Sequence, residues 1–247
     1  MRVAVVGKGG SGKTTTASVL ARTLAVRGLD VVALDCDTNA NLGISLGVGF
    51  AATDTLASVR ESLDAGDETH APDPEDLLDR FGADAPDGVR LAVVHKIEHP
   101  DPGCPCCGVS PEQILGSVES AGRTVIADFE AGIGTLTRMA DGAVDAVVIV
   151  VEPAVKSIEV ADRALDLARQ RGVGRIVVVA NRVESEADVE RITAALGDVE
   201  LAMVPEDSAI IDADRAGGAP LDLAPDAPAV RALVELAGRF AGEPVPV

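Results

Sequence analysis

Residues 7–15 read Gly-Lys-Gly-Gly-Ser-Gly-Lys-Thr-Thr. They match the spacing GxxxxGK[ST], with Gly7, Gly12, Lys13 and Thr14 at the fixed positions. Residues 2–6, RVAVV, are an apolar, β-branched run that predicts a buried strand. Residues 14–27 predict a helix with Ala17, Leu20, Ala21, Leu24 and Ala25 on one face. Between strand and helix, a glycine-rich turn lets the backbone curl around a phosphate with its amides pointing inward. The helix N-terminus adds a partial positive charge. Gly9, Gly10, Ser11 and Thr15 complete the expected cradle. Lys13 is expected to reach the β- and γ-phosphates, and the Thr14 hydroxyl to bind Mg²⁺. The chain has four lysines, and Lys8 and Lys13 are two of them. Lys8 is not part of the general pattern and narrows the kind of nucleotide hydrolase implied.

Outward from the loop, strand-like and helix-like segments alternate along the 247 residues. That alternation predicts a single α/β domain of three layers, a mostly parallel, twisted sheet with helices on both faces. With 47% hydrophobic residues the chain can bury a sizeable core. No apolar run is long enough to span a bilayer, and the N-terminal one leads directly into the phosphate loop, so a cytoplasmic protein is expected. The net charge of −19 disfavours nucleic acid and anionic lipid as partners. With no Trp or Tyr there is no stacking platform for single strands.

Further strands are expected at 31–35, 89–95, 123–128, 145–151, 175–180 and 199–203. Helices are expected over 53–82 in two pieces, then at 111–121, 157–171, 186–196 and 226–241. Residues 96–110, rich in Pro and Gly, read as an inserted loop that carries Cys104, Cys106 and Cys107, and 242–247 read as a frayed tail. Hydrolysis of a Mg-nucleotide requires acids that hold the metal's water shell and orient the attacking water. Asp128 ends an apolar strand where such an acid belongs. Asp35 and Asp37 end another and, two apart, can face one side of it, with Cys36 between them packed inward. Gly132, in the turn 129–134, could offer its amide to the γ-phosphate.

These residues resemble the MinD/ParA/nitrogenase-iron-protein group, whose deviant phosphate loop GKGGSGKTT is similar to. The likeness extends to Asp-x-Asp at 35–37, Asp-x-x-Ala-Gly at 128–132 and Asn181 after a late strand. It implies ATP and Mg²⁺ as ligands, a homodimer in which Lys8 reaches the partner's nucleotide, and Asn181 at the adenine. Pro205 and Asp207 join the expected nucleotide contacts. Lys8, Lys13 and Asp37 form the expected catalytic set; Thr14, Asp37 and Asp128 form the Mg²⁺ set. Within the group, Cys-Pro-Cys at 104–106 with ILGSV at 114–118, DFEAGIGTLTR at 128–138 and VEPAVKSIE at 151–159 resemble CooC-type ATPases. Those assist nickel insertion into carbon monoxide dehydrogenase. Thr38, where the family usually has proline, and the extra Cys107 depart from the pattern.

Two thiolates, Cys104 and Cys106, cannot close a tetrahedral soft-metal site, but two such loops in a symmetric dimer supply four ligands. This agrees with what the resemblance implies, a Ni²⁺ or Zn²⁺ ion held between protomers. A single-chain site with His99 and Cys107, or plain thiols, are the alternatives. The expected activity is a dimeric ATPase serving as metallochaperone to a client metalloenzyme. The alternative is a positioning or partition switch of the MinD or ParA kind. The basic amphipathic C-terminal helix of MinD-like proteins is missing from 226–247, and the acidity opposes a ParA-like DNA surface. An electron-donating reductase would need a cysteine beyond Cys107, and none occurs.

Overall fold

The computed structural model describes residues 1–56, 82–94, 115 and 122–242. The strands are β1 (Arg2–Gly7), β2 (Val31–Cys36), β3 (Ala83–Asp84), β4 (Arg90–Val93), β5 (Thr124–Phe129), β6 (Ala146–Val151), β7 (Arg175–Val183) and β8 (Glu200–Pro205). They form one sheet in the order β3-β4-β2-β5-β1-β6-β7-β8. Every pairing is parallel except the short β3–β4 contact.

The interior strands are apolar throughout because both faces are covered. In β1, Val3 and Val5 point to one core and Ala4 and Val6 to the other. The first core receives α1 (Lys13–Val26), α2 (Leu42–Leu46) and the C-terminal helix Pro228–Phe240. The second receives the helices Val155–Gln170 and Glu186–Leu196, together with Phe129, Leu136 and Leu115. This is the three-layer arrangement expected from the alternation.

Most boundaries fall within two residues of the sequence reading, and three differences have clear causes. The strand expected to stop at residue 180 continues to Val183 through a bulge between Asn181 and Val183. The polar Asn181-Arg182 pair had masked that continuation. Three helices were not expected. In chain order after α2 the helices are α3 (Gly134–Arg138), α4 (Val155–Gln170), α5 (Glu186–Leu196), α6 (Ser208–Arg215), α7 (Pro220–Leu223) and α8 (Pro228–Phe240). The unexpected ones are α2, α6 and α7. α2 has five residues and α7 is a single turn opened by proline, both too short to show a helical period, and α6 spans only eight residues with Ala213 alone buried. The two-residue β3 is likewise too short to leave a pattern. Of the helix expected over 53–82, residues 53–56 are helical and 57–81 lie outside the described residues. The loop 96–110 lies outside them as well, as does the helix at 111–121 apart from the buried, helical Leu115.

β1 sits in mid-sheet between β5 and β6. From its carboxyl end the chain crosses to β2 on one side, while β6 to β8 build the other. That reversal opens a crevice at the carboxyl edge, where open α/β sheets bind their ligands.

Candidate functional site

The phosphate loop leaves β1 at Gly7 and enters α1 at Lys13. Gly7 passes so close to β6 that a Cβ there would stand 2.3 Å from the Val150 carbonyl oxygen. Gly12, the residue before α1, has φ 96, and a Cβ there would meet Asn181 Nδ2 at 2.4 Å. Neither position tolerates a side chain. The loop closes on the Lys8 carbonyl, which accepts from the Ser11 amide at 3.1 Å and from Lys13 Nζ at 3.5 Å. Lys13 is 7% exposed, so its ammonium is held within the loop. Lys8 lies at the rim and its Nζ donates to the Gly9 carbonyl at 3.2 Å. The Ser11 hydroxyl is buried without a partner among the described residues.

Two acids stand side by side on neighbouring strands, Asp35 on β2 opposite Asp128 on β5 in register, and Asp128 is the one that meets this loop. The Thr14 hydroxyl donates to Asp128 Oδ2 at 2.6 Å. Asp128 Oδ1 is buried and has no hydrogen-bond partner among the described residues. Burial pushes the Asp128 carboxyl up to about 6, opposed by the Thr14 hydrogen bond and the Lys13 charge and assisted by Asp37. An orphaned carboxylate oxygen beside a hydroxyl suits a hard divalent cation, whose remaining positions go to phosphate oxygens and water. Thus Thr14 and Asp128 fit Mg²⁺, although no group of three or more His, Cys, Asp or Glu that could hold a metal occurs among the described residues.

Asp35 and Asp37 divide their work in a way that their spacing does not reveal. β2 ends at Cys36, which is buried as expected, so Asp37 lies beyond the strand. Asp35 is fully buried, and its carboxylate accepts from the Leu42 amide at 2.8 Å and the Asp37 amide at 3.2 Å. It therefore fastens the base of the 37–41 loop instead of facing the phosphate loop alongside Asp37. Burial, followed by the charge of Asp128, pushes Asp35 up to about 7 against those two amides. Asp37 is partly exposed and accepts from the Asn39 amide at 2.9 Å. The Thr38 hydroxyl donates to Glu130 at 3.4 Å, joining this loop to the one after β5. There the Gly132 amide donates to the Gly7 carbonyl at 3.0 Å, so the donor expected to serve a γ-phosphate is engaged with the phosphate loop itself.

A pocket adjoins the other side of the loop, bounded by Gly12 and Thr15, by Asn181 and Arg182 on β7, and by Pro205, Asp207 and Ile210. Asn181 and Pro205 thus both line this pocket. Asp207 borders the pocket with its side chain committed: its carboxylate accepts from the Ala209 amide at 3.0 Å and the Ala229 amide at 3.2 Å, binding the starts of α6 and α8 together. Sequence reasoning missed Arg182, Glu206 and the aliphatic wall of Ile210 and Ile211, which depend on the bulge and on α6. Cys104, Cys106, Cys107, His95, His99 and His70 lie outside the described residues. No helix among the described residues is long and apolar enough to cross a membrane.

Comparison with known proteins agrees with this geometry. The family described as the CobQ/CobB/MinD/ParA nucleotide binding domain matches residues 3–221. The carbon monoxide dehydrogenase accessory protein CooC of Rhodospirillum rubrum is 34% identical over 244 residues, covering 91% of each chain. An ATP-binding protein of Methanocaldococcus jannaschii is 32% identical over 232 residues, 88% of this chain and 90% of its own. Among solved structures, the MinD cell division protein of Aquifex aeolicus superposes with a TM-score of 0.70 at 25% identity, covering 100% of this chain and 98% of that one.

Proposed function

Because this chain belongs to the CobQ/CobB/MinD/ParA nucleotide-binding family of phosphate-loop ATPases, we propose that it is a Mg-dependent ATPase that dimerises on nucleotide and acts as a metallochaperone. Its cargo is nickel, or zinc, delivered to a client metalloenzyme such as carbon monoxide dehydrogenase. The observation that carries the reading is the near full-length similarity to CooC in a chain that also holds the Cys104-Pro-Cys106 loop.

The nucleotide's phosphates lie in the loop 7–15, with Lys13 turning from the Lys8 carbonyl to the β- and γ-oxygens. Thr14, Asp128 and Asp37 would hold Mg²⁺, which would supply neutralisation of charge on the transferred phosphoryl group. Asp37, on a loop anchored by Asp35, orients the attacking water. Asn181, Pro205 and Asp207 border the base. Lys8, at the rim, reaches the nucleotide of a second protomer. The same pairing gathers Cys104 and Cys106 from two chains into four thiolates, a set that suits Ni²⁺ or Zn²⁺. Hydrolysis loosens the loops near Asp37 and Asp128 and releases the shared ion.

Replacing Cys104 and Cys106 by Ser in one variant tests this. Bound nickel or zinc per dimer, measured after anaerobic purification, should fall to background while ATP hydrolysis persists. Unchanged metal stoichiometry would sink the metallochaperone reading. A positioning switch would instead show ATP-dependent capture on liposomes or DNA. Against a membrane role, the apolar face of α8, with Val230, Leu233, Leu236 and Ala237, is already buried in the core.

A further inference from the structure

We propose that Asn181 is a positioning residue for the phosphate loop, a strut that holds the Ser11–Gly12 peptide in place and joins it to the nucleoside pocket, in addition to any contact with the base. The proposal rests on the nucleotide site described above.

The strut begins with an irregularity in the sheet. β7 and β8 pair in register as far as Asn181 opposite Val204, and the next pair is Val183 opposite Pro205. The extra residue, Arg182, has φ 58, a left-handed conformation that is strained for a residue with a side chain. Its surroundings hold it there: Arg182 Nη1 donates to Glu152 Oε1 at 2.6 Å, and Nε lies 3.8 Å from Glu206 Oε2. Such over-determined strain clusters at functional positions. A bulge re-aims the side chains beside it. Here it accompanies the contact of Asn181 Nδ2 with the Ser11 carbonyl, at 2.7 Å and 170 residues away in sequence.

The contact lies flat on Gly12, where a Cβ would overlap the same Nδ2 at 2.4 Å. A peptide is planar and trans, so fixing the Ser11 carbonyl toward Asn181 points the Gly12 N–H the opposite way, away from the side pocket. The strut thereby orients a loop amide before any phosphate arrives, the preorganisation that spares binding an ordering cost. Asn181 Oδ1 has no hydrogen bond among the described residues and is left as an acceptor at the pocket that Asn181 lines.

Two readouts separate a strut from a base contact. The first is calorimetric titration of the wild type, Asn181→Ala and Asn181→Asp with Mg-ATP and with base-free Mg-tripolyphosphate. Loss of the strut should weaken tripolyphosphate about fivefold, the effect of one net hydrogen bond. Asn181→Asp, which sets an acceptor against the Ser11 carbonyl, should weaken it at least as much while preserving side-chain volume. The second readout is amide exchange across residues 7–14 without nucleotide, which should quicken in both variants. The proposal is overturned if the variants weaken ATP but leave tripolyphosphate and exchange unchanged. A wild-type chain that binds neither ligand would sink the ATPase reading, and the exchange result would still judge the strut.

Discussion

The acidic edge of the site works through single residues whose environments differ despite similar positions. Asp35 and Asp128 are paired across adjacent strands, and each is raised above the usual carboxylate value near 3.8, to about 7 and about 6. The folded state thus holds protons that the unfolded chain releases between about pH 4 and pH 7. Their stabilising effect is complete below the unfolded value and is lost as pH rises through about 6 to 7. The apparent melting temperature of the nucleotide-free, metal-free protein should therefore rise on acidification from about pH 7.5 to 5.5, by about 2–4 °C for each kcal/mol recovered. Glu200 and Asp188, held lower by Arg175 and by the Glu184 and Ser185 amides respectively, oppose this only at more acidic pH. Asp128→Asn should flatten the profile in a pH series of thermal melts. Asp128 was legible as a strand-end acid because an apolar strand delivers it to the sheet edge. The separate duties of Asp35 and Asp37 were not, because the spacing of two says nothing about where β2 stops or which amides lie beneath it.

At the scale of elements, α1 must present the phosphate loop in fixed register with β1, and it is secured far from that loop. Arg22 is 6% exposed, and its guanidinium donates to Asp87 at 2.6 Å, in the turn before β4, and to Asp222 at 2.8 Å, in α7. The acids are partly exposed, so their charges are partly screened. Replacing Arg22 by Ala should cost about 1.5–3 kcal/mol, the range for hydrogen bonds to charged groups, towards its lower end because of that screening. A chemical denaturation midpoint that does not move would show that the two ion pairs contribute nothing. None of this was visible in sequence. Asp87 and Asp222 are 65 and 200 residues from Arg22, and α7 has no periodicity of its own. α6 was hidden by its length of eight residues, too short a window for a helical period to be read, although its Ile210 and Ile211 form a wall of the pocket.

For the molecule as a whole, a net charge of −19 sets terms for any association between copies. Two such protomers repel, and salt screens that repulsion once the Debye length falls to about 10 Å near 0.1 M. ATP-dependent dimerisation should therefore tighten between about 0.02 and 0.2 M salt, as followed by analytical ultracentrifugation. Lys8→Ala should abolish it at every salt concentration while monomers still bind nucleotide; an unchanged dimer in that variant would remove Lys8 from the interface. The sequence by itself determined the layer architecture, the phosphate loop and the strand-end acid Asp128. Each is written in local order: strand, glycine turn, helix, or an apolar run closing on an aspartate. Tertiary structure alone decided that Asp35 anchors while Asp37 stays exposed, that Gly132 is hooked to Gly7, and that Asn181 braces Ser11 across a bulge. Those outcomes follow from hydrogen bonds between groups far apart in the chain, and only packing brings such groups within reach.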